Sequence, residues 1–265
     1  MREQFNKILR ETNAVARRII TELFRLRRSL VFWVIFPVII LTINGMIIAE
    51  QAKGQGVTTA QAFLQSTPVS LVGVALFFSG MGGTCAALVA EREHGTLRRL
   101  YLTPLSGLSY FLGVLLAEST VALLQSIVLL TVAYGYGVRL QGSGWLAFWI
   151  IFLSQLSYVG SGFLLGSRMA RRTEDVIALV STIGIPMLIL GGSFMPSWLF
   201  PDVLLQLAQA DPVFHMNEAL LGVWAQGDGW AAVKGHVIFL QIYALAVLLL
   251  SWFAYRRMYR HERGI

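Results

Sequence analysis

The chain has 265 residues, 56% of them hydrophobic and only 13% charged, with a formal net charge of +7. A soluble domain carries about 25% charged residues, so this composition excludes a chain that is water-exposed over its whole surface. The single cysteine, Cys85, excludes a disulfide framework and a cysteine metal cluster.

Residues 1–29 read as an amphipathic helix. Phe5, Ile8, Leu9, Thr12, Val15, Ala16, Ile19, Ile20 and Leu23 recur at helical spacing, with Arg10, Asn13, Arg17 and Glu22 on the other side. Such a basic polar face suits an anionic membrane surface or a partner protein beside it. Six apolar stretches follow, at 30–49, 68–89, 109–134, 145–167, 175–195 and 233–254. Each reaches the ~20 residues needed to cross a bilayer. Backbone in lipid must satisfy its own hydrogen bonds, so each is predicted to be a helix. The first is too long, and too far from the N-terminus, for a cleavable leader. Pro37 and Pro186 are expected to kink their helices. The expected organisation is one membrane domain over 30–254, preceded by the interface helix 1–29 and followed by a basic tail, 255–265.

The basic residues are unevenly placed. The N-terminal segment holds eight Lys and Arg, residues 90–108 three, 168–174 three, and the tail beyond Tyr255 four; the alternate loops hold only Lys53, Arg139 and Lys234. Basic loops stay on the cytoplasmic side, which predicts both termini and segment 90–108 inside. The positive charge therefore reads as a topology signal and argues against nucleic acid as a partner.

Between the second and third spans lies EREHGTLRRLYLTPLS, residues 91–106. Gly95 suits the left-handed position just past a helix end. Thr96 is then the expected N-cap of a short helix over 97–102. Thr103 precedes Pro104, which ends it, and Ser106 caps the third span. Leu97, Leu100 and Tyr101 share one face, while Arg98 and Arg99 point elsewhere. This is either a turn held by headgroups or a docking element for a cytoplasmic protein.

Within the spans, Glu118 stands out, because a lone charge there costs at least ~2.5–3.5 kcal/mol. Ser119, Thr120 and Gln125 are its nearest hydrogen-bonding neighbours in sequence, and a structural role or a role toward substrate or protons both remain open. Phe77, Phe78, Met81 and Phe194 either line an apolar cavity between the second and fifth spans or face lipid and core. Gly162 and Gly166 form a small-x-x-x-small pair for close packing, as do the glycines of GMGGT, residues 80–84. His94, His215, His236 and His261 are too scattered to suggest a metal site. No G-x-x-x-x-G-K-[ST] phosphate loop occurs.

Before the last span, Pro201 is expected in the first turn of a short helix reaching about Gln209. Asp211 and Pro212 form an N-cap and N1 pair for another helix toward Trp224. Each is too short to cross, and no Lys or Arg occurs from Thr173 to Val233. Residues 196–224 are therefore expected to dip into the outer leaflet as a re-entrant hairpin.

The stretch EREHGTLRRLYLTPLSGLSYFLGVLLAE resembles the characteristic cytoplasmic segment of ABC-2 type permeases, the membrane subunits of ATP-binding-cassette exporters. Glu91, Arg92, Glu93, Gly95, Thr96, Leu97, Thr103, Pro104 and Tyr110 match the family pattern in order. GGSFMPSWLFPDVLLQLAQADPVFHMNEALLGVW, residues 191–224, resembles the family's segment after the fifth span. The resemblance implies an all-α membrane protein of six transmembrane helices, with a cytoplasmic amphipathic N-terminal helix and an outer-leaflet re-entrant hairpin before the last span. It implies that residues 91–104 form a coupling helix, with Glu91, Arg92, Glu93, His94, Gly95, Thr96, Leu97, Leu100 and Tyr101 meeting the ATPase. Its implied partners are two copies of an ABC ATPase subunit, a second copy of this chain or a similar permease, and membrane lipid. ATP and Mg would bind the ATPase, with no cofactor held by this chain. A drug, lipid or lipid-linked glycan would be exported across a bacterial inner membrane. An intramembrane transferase would need a His, Asp or Ser constellation at one membrane face, and none is apparent. A non-transporting scaffold is the other alternative.

Overall fold

Long apolar runs broken by glycine and proline give a chain that is almost wholly helical. The computed structural model describes residues 2–25, 27–51 and 56–262. In chain order the helices are α1 (Arg2–Arg25), α2 (Arg27–Gln51), α3 (Thr59–Pro68), α4 (Thr84–Glu93), α5 (Thr96–Tyr101), α6 (Gly107–Gly135), α7 (Gly144–Arg168), α8 (Thr173–Leu190), α9 (Asp202–Ala208), α10 (Pro212–Leu221) and α11 (Trp230–Glu262). Two π-helical segments complete the path: Val69–Gly83 joins α3 to α4, and Gly222–Gln226 follows α10. No strand occurs among the described residues. Lys53, and Arg263 at the end of the tail, lie outside them.

Among the described residues, six helical rods are long and apolar enough to cross a membrane: Trp33–Gln51, Thr59–Glu93, Gly107–Gly135, Gly144–Arg168, Thr173–Leu190 and Trp230–Arg260. The protein is therefore an all-helical, multi-pass membrane protein. Three boundaries differ from the sequence expectation. The second rod begins at Thr59 rather than 68. The Thr58 hydroxyl accepts from the Gln61 amide at 3.3 Å while the Gln61 side chain accepts from the Thr58 amide at 2.8 Å, a reciprocal cap that starts the helix early. The fifth rod ends at Leu190 because Gly191 and Gly192 follow, the latter at φ +77°. Phe194 thus leaves the helix for the turn. The last rod continues without a break through residue 262, so the basic tail is mostly helical.

The second rod is central. Of its most apolar window 78% is buried within the chain, against 17% for the first rod and 22% for the fifth. Those two outer rods therefore leave wide apolar faces uncovered. Close approach between α7 and the second rod needs glycine. A Cβ on Gly162 would lie 2.5 Å from the Met81 carbonyl oxygen, and one on Gly166 3.3 Å from that of Cys85. A main core around Leu71, Leu76, Phe77, Tyr158 and Met216 fills the middle of the bundle. A second core, around Val15, Ile19, Leu97, Phe111, Phe163 and Tyr255, closes the end that carries α5.

Candidate functional site

Helix α5 departs from α4 after two residues. His94 ends α4, and Gly95 turns the chain at φ +67°. A side chain at Gly95 would be strained, which is why glycine sits there. Thr96 is the first residue of the helix and not its cap. Gly95 occupies the cap position, and no side chain caps it.

Each member of the acidic–basic–acidic triplet ties α4 to a different element. Glu91 accepts from Arg18 of α1 and, at 2.6 Å, from the Tyr110 hydroxyl of α6. Arg92 donates to the Gly166 and Ala170 carbonyls, both at 3.2 Å, at the end of α7 where the last helical carbonyls lack partners. Glu93 accepts from the Thr173 amide at 3.0 Å and from the Thr173 hydroxyl, which satisfies the first turn of α8. One helical turn thus ties α4 to α1, α6, α7 and α8. Glu91 thus pairs with an arginine, while Glu93 bonds the hydroxyl and amide of Thr173.

The N-terminus of α6 is held in the same way. Ser106 caps it, accepting from the Ser109 amide at 3.0 Å. Glu11 of α1 reaches across to accept from the Ser106 amide at 3.2 Å and the Ser109 hydroxyl at 2.7 Å. Burial alone would raise the Glu11 pKa, but the hydrogen bonds from Ser109 and Ser106 outweigh it and hold the carboxyl below its ordinary value. Sequence reasoning assigned no role to Glu11 or Arg18. The available signal was their spacing: residues 11, 15, 18 and 22 form one helical stripe, with two charges flanking the buried Val15.

Leu97 requires a correction. It is 1% exposed, packed in the second core with Val15, Ile19 and Tyr110, so it anchors α5 to its own chain and presents nothing to a partner. Leu100 packs partly against the same core. The side chain of Tyr101 lies outside the described residues. The exposed surface of α5 and its flanks is instead Glu93 and His94 before it, Arg98 and Arg99 on it, and Leu102, Thr103 and Pro104 after it; Leu102 is 79% exposed. A basic rim beside one exposed leucine, fixed from behind, suits an acidic, apolar-lined groove on another protein.

Of the two readings open for the apolar residues of the spans, packing in the core describes Phe77 and Met81. Phe77 and Met81 are fully buried and fill the space against Gly184 of α8, and Phe77 meets Phe78 and Tyr158 edge-on at 5.1 and 5.6 Å. Phe194 projects from the turn after α8 and is 56% exposed. Glu118 is buried, but its expected neighbours bond elsewhere: Thr120 to the Leu116 carbonyl and Gln125 to that of Trp33. Its Oε2 atom has no partner among the described residues.

At the opposite end, Asp211 caps α10 through the Val213 amide at 3.0 Å, with Pro212 in the first turn as expected. Burial pushes the Asp211 carboxyl up to about 7. Pro201 lies one position before α9, extended at ψ 155°, and not inside its first turn. Two of the histidines read as scattered are in contact: His215 Nδ1 and His236 Nδ1 lie 2.9 Å apart, joining α10 to α11. His215 Nε2 lies 2.9 Å from the Gln209 carbonyl and must carry a proton, so in the neutral pair His236 Nδ1 is the donor. No group of three metal-ligating side chains occurs among the described residues.

Comparison with known proteins places this architecture. The family model described as ABC-2 type transporter matches residues 10–224. YvfS of Bacillus subtilis (strain 168), a transport permease by name, is 23% identical over 251 residues, covering 92% of this chain and 98% of that protein. YbhR of Escherichia coli (strain K12), a multidrug ABC transporter permease by name, is 27% identical over 150 residues, covering 56% of this chain and 40% of that protein. ABC transporter G family member 20 of Dictyostelium discoideum is 25% identical over 192 residues, covering 71% of this chain and 26% of that protein.

Proposed function

The chain belongs to the ABC-2 type transporter family, and from that premise we propose that it is the permease subunit of an exporter driven by ATP hydrolysis on a separate chain. Two copies of an ABC ATPase hold the ATP and Mg, and a second copy of this chain or a similar permease completes the path. The cargo is amphipathic or hydrophobic: a drug, a lipid or a lipid-linked glycan. The protein sits in a bacterial inner membrane with both termini and α5 on the cytoplasmic side, the α9–α10 hairpin dipping into the outer leaflet. The uneven placement of Lys and Arg supports this orientation.

The observation that carries the reading is the mounting of α5. A coupling element must pass a push to the spans without dissipating it. Swinging a two-state transporter from 1:99 to 99:1 takes ~5.5 kcal/mol of differential interaction. Helix α5 offers an exposed face of Arg98, Arg99 and Leu102, while Leu97 keys it into the core behind. The turn just before it bonds through Glu91, Arg92 and Glu93 to α1, α6, α7 and α8. A displacement of α5 by a closing ATPase pair is thus delivered to four helices together. Phe77, Phe78, Met81, Glu118 and Phe194 remain the candidates for the path, the first three through repacking of the central rod against α8.

The test is co-purification with the cognate ATPase and reconstitution in liposomes. The expected result is a complex whose hydrolysis is stimulated by an exported amphiphile. A permease that binds no ATPase overturns the reading.

A further inference from the structure

A groove of about 280 Å³ runs between α6 and α7, and its lining residues belong neither to the α5 site nor to the Phe77–Phe78–Tyr158 ring cluster. It exists because small residues face each other there: Ala122 and Ser126 on α6, Gly144 and Ala147 on α7. Its lining extends from Ser119 to Leu130 on one helix and from Gly144 to Gln155 on the other. At ~1.5 Å per residue each wall is ~16 Å long. That is close to half of the ~30 Å hydrocarbon core, one leaflet deep. The groove is open to the side, and its flanks are apolar and exposed: Leu123 at 50%, Ile127 at 54% and Phe148 at 45%.

No charged side chain lines it. Among the described residues two polar atoms of its lining side chains lack partners, Gln155 Oε1 and Trp224 Nε1, and only the second is a donor. Trp224, 4% exposed, lines the groove, and its indole N–H has no partner among the described residues. A buried donor left unpaired is destabilising, and the acceptors of the lining, Gln155 Oε1 and the Ser119 and Ser126 hydroxyls, do not bond it. Trp224 is fixed at the end nearest the α6–α7 connection, because the Gln141 amide donates to its carbonyl at 3.1 Å. An acceptor is therefore needed at one end of a leaflet-deep apolar channel.

We infer that this groove holds one acyl chain of a resident phospholipid, with the ester carbonyl accepting from the Trp224 indole and the chain extended between α6 and α7. The volume is small for a drug-sized site, which runs ~300–1,000 Å³, and suits a single chain. The sideways opening admits a lipid from the bilayer without any movement of the bundle. The inference stands whether or not an ATPase drives the protein.

The experiment uses the full chain in nanodiscs containing a phosphatidylethanolamine with a diazirine midway along one acyl chain. After photolysis, cross-linked peptides are mapped by mass spectrometry. Cross-links are expected to concentrate at residues 119–130 and 144–155, roughly tenfold above those around Ile242, an exposed residue of α11. Ala147→Trp, which fills the groove, should remove them and leave the Ile242 background unchanged. Gly144→Leu narrows the mouth more gently, since its new Cβ would sit 3.5 Å from Leu140 in ordinary contact; it should reduce them several-fold should the tryptophan variant fail to insert. Trp224→Phe should also reduce them. Cross-linking no denser in the groove than at Ile242, or unaffected by both groove variants, overturns the inference. So does labelling that appears only during ATP hydrolysis by the complex, which would mark a passing cargo instead of a resident lipid.

Discussion

Arg18 and Glu91 form an ion pair between residues 73 positions apart, and the same carboxylate accepts from Tyr110. The pair fastens the N-terminal helix to the end of the second rod. Side-chain exposure is 28% for Arg18 and 14% for Glu91, so the charges are largely shielded and neither is easily left alone. Arg18→Ala is expected to cost about 2–3 kcal/mol, below the ~3–5 kcal/mol of a fully buried pair because water reaches the arginine. Replacing both with leucine should recover only part of that loss, because the buried Tyr110 hydroxyl then lacks its acceptor. Thermal unfolding in detergent measures both, and equal losses for the single and double variants would show that the pair does not act as a unit.

The outward and inward faces of α5 should separate experimentally. Arg98→Asp with Leu102→Asp leaves the core untouched and is expected to preserve insertion and melting temperature while ATPase association falls at least tenfold. Leu97→Asp buries a charge among Val15, Ile19 and Tyr110 and should unfold the α5 end instead. Pull-down and melting curves on the two variants decide it. Normal pull-down and transport by the 98/102 variant would reduce α5 to a turn.

Orientation can be read with thiol labels. Cys85 is fully buried, so background reaction should be low. A cysteine at Arg98 should react with an impermeant maleimide only after permeabilisation, and one at Gln226 in intact cells. The reverse pattern would invert the topology.

Asp211 gives a pH signature. Its carboxyl is raised to about 7 by burial from an ordinary 3.8. The folded state therefore holds this proton more tightly than the unfolded chain. Its contribution favours folding at low pH and is lost as pH rises from ~4 through ~7. Asp211→Asn keeps an oxygen for the Val213 amide and removes the charge. The variant should melt above wild type at pH 8, with the gap closing at pH 4. His215 acts in the opposite sense: burial lowers its pKa, so its contribution is present above ~6.5 and fades as pH falls. His215→Gln should flatten that acidic limb of the melting profile.

What the sequence made legible was local. Apolar run length located six rods, Gly95 announced its left-handed turn, and Asp211–Pro212 announced a helix start. Each depends on residues within a few positions of one another. Long-range pairings were not legible. Nothing near Glu91 points to Arg18, and nothing near His215 points to His236, because bundle packing chooses those partners. Leu97 misled for a related reason. Leu97 and Leu100 do turn toward one core, but a face gives no direction in space until α1 and α6 are placed beside it. Phe194 was assigned to a span because hydropathy continues past Leu190, while the backbone obeys Gly191 and Gly192. The α6–α7 groove left no mark, since alanine and serine are ordinary in any packed helix.

Helix α11 runs from Trp230 to Glu262 as one piece. His236 meets α10 near its start, and Tyr255 stacks on Tyr110 at 5.7 Å near its end. Nineteen residues of rise separate them, ~28 Å, almost the depth of the hydrocarbon layer. No loop or hinge interrupts that distance. The helix is thus a fixed-length strut between the two ends of the molecule. A bilayer of another thickness must be met by tilting it, and any tilt has to be absorbed where Tyr255 bears on Tyr110, one hydrogen bond away from Glu91.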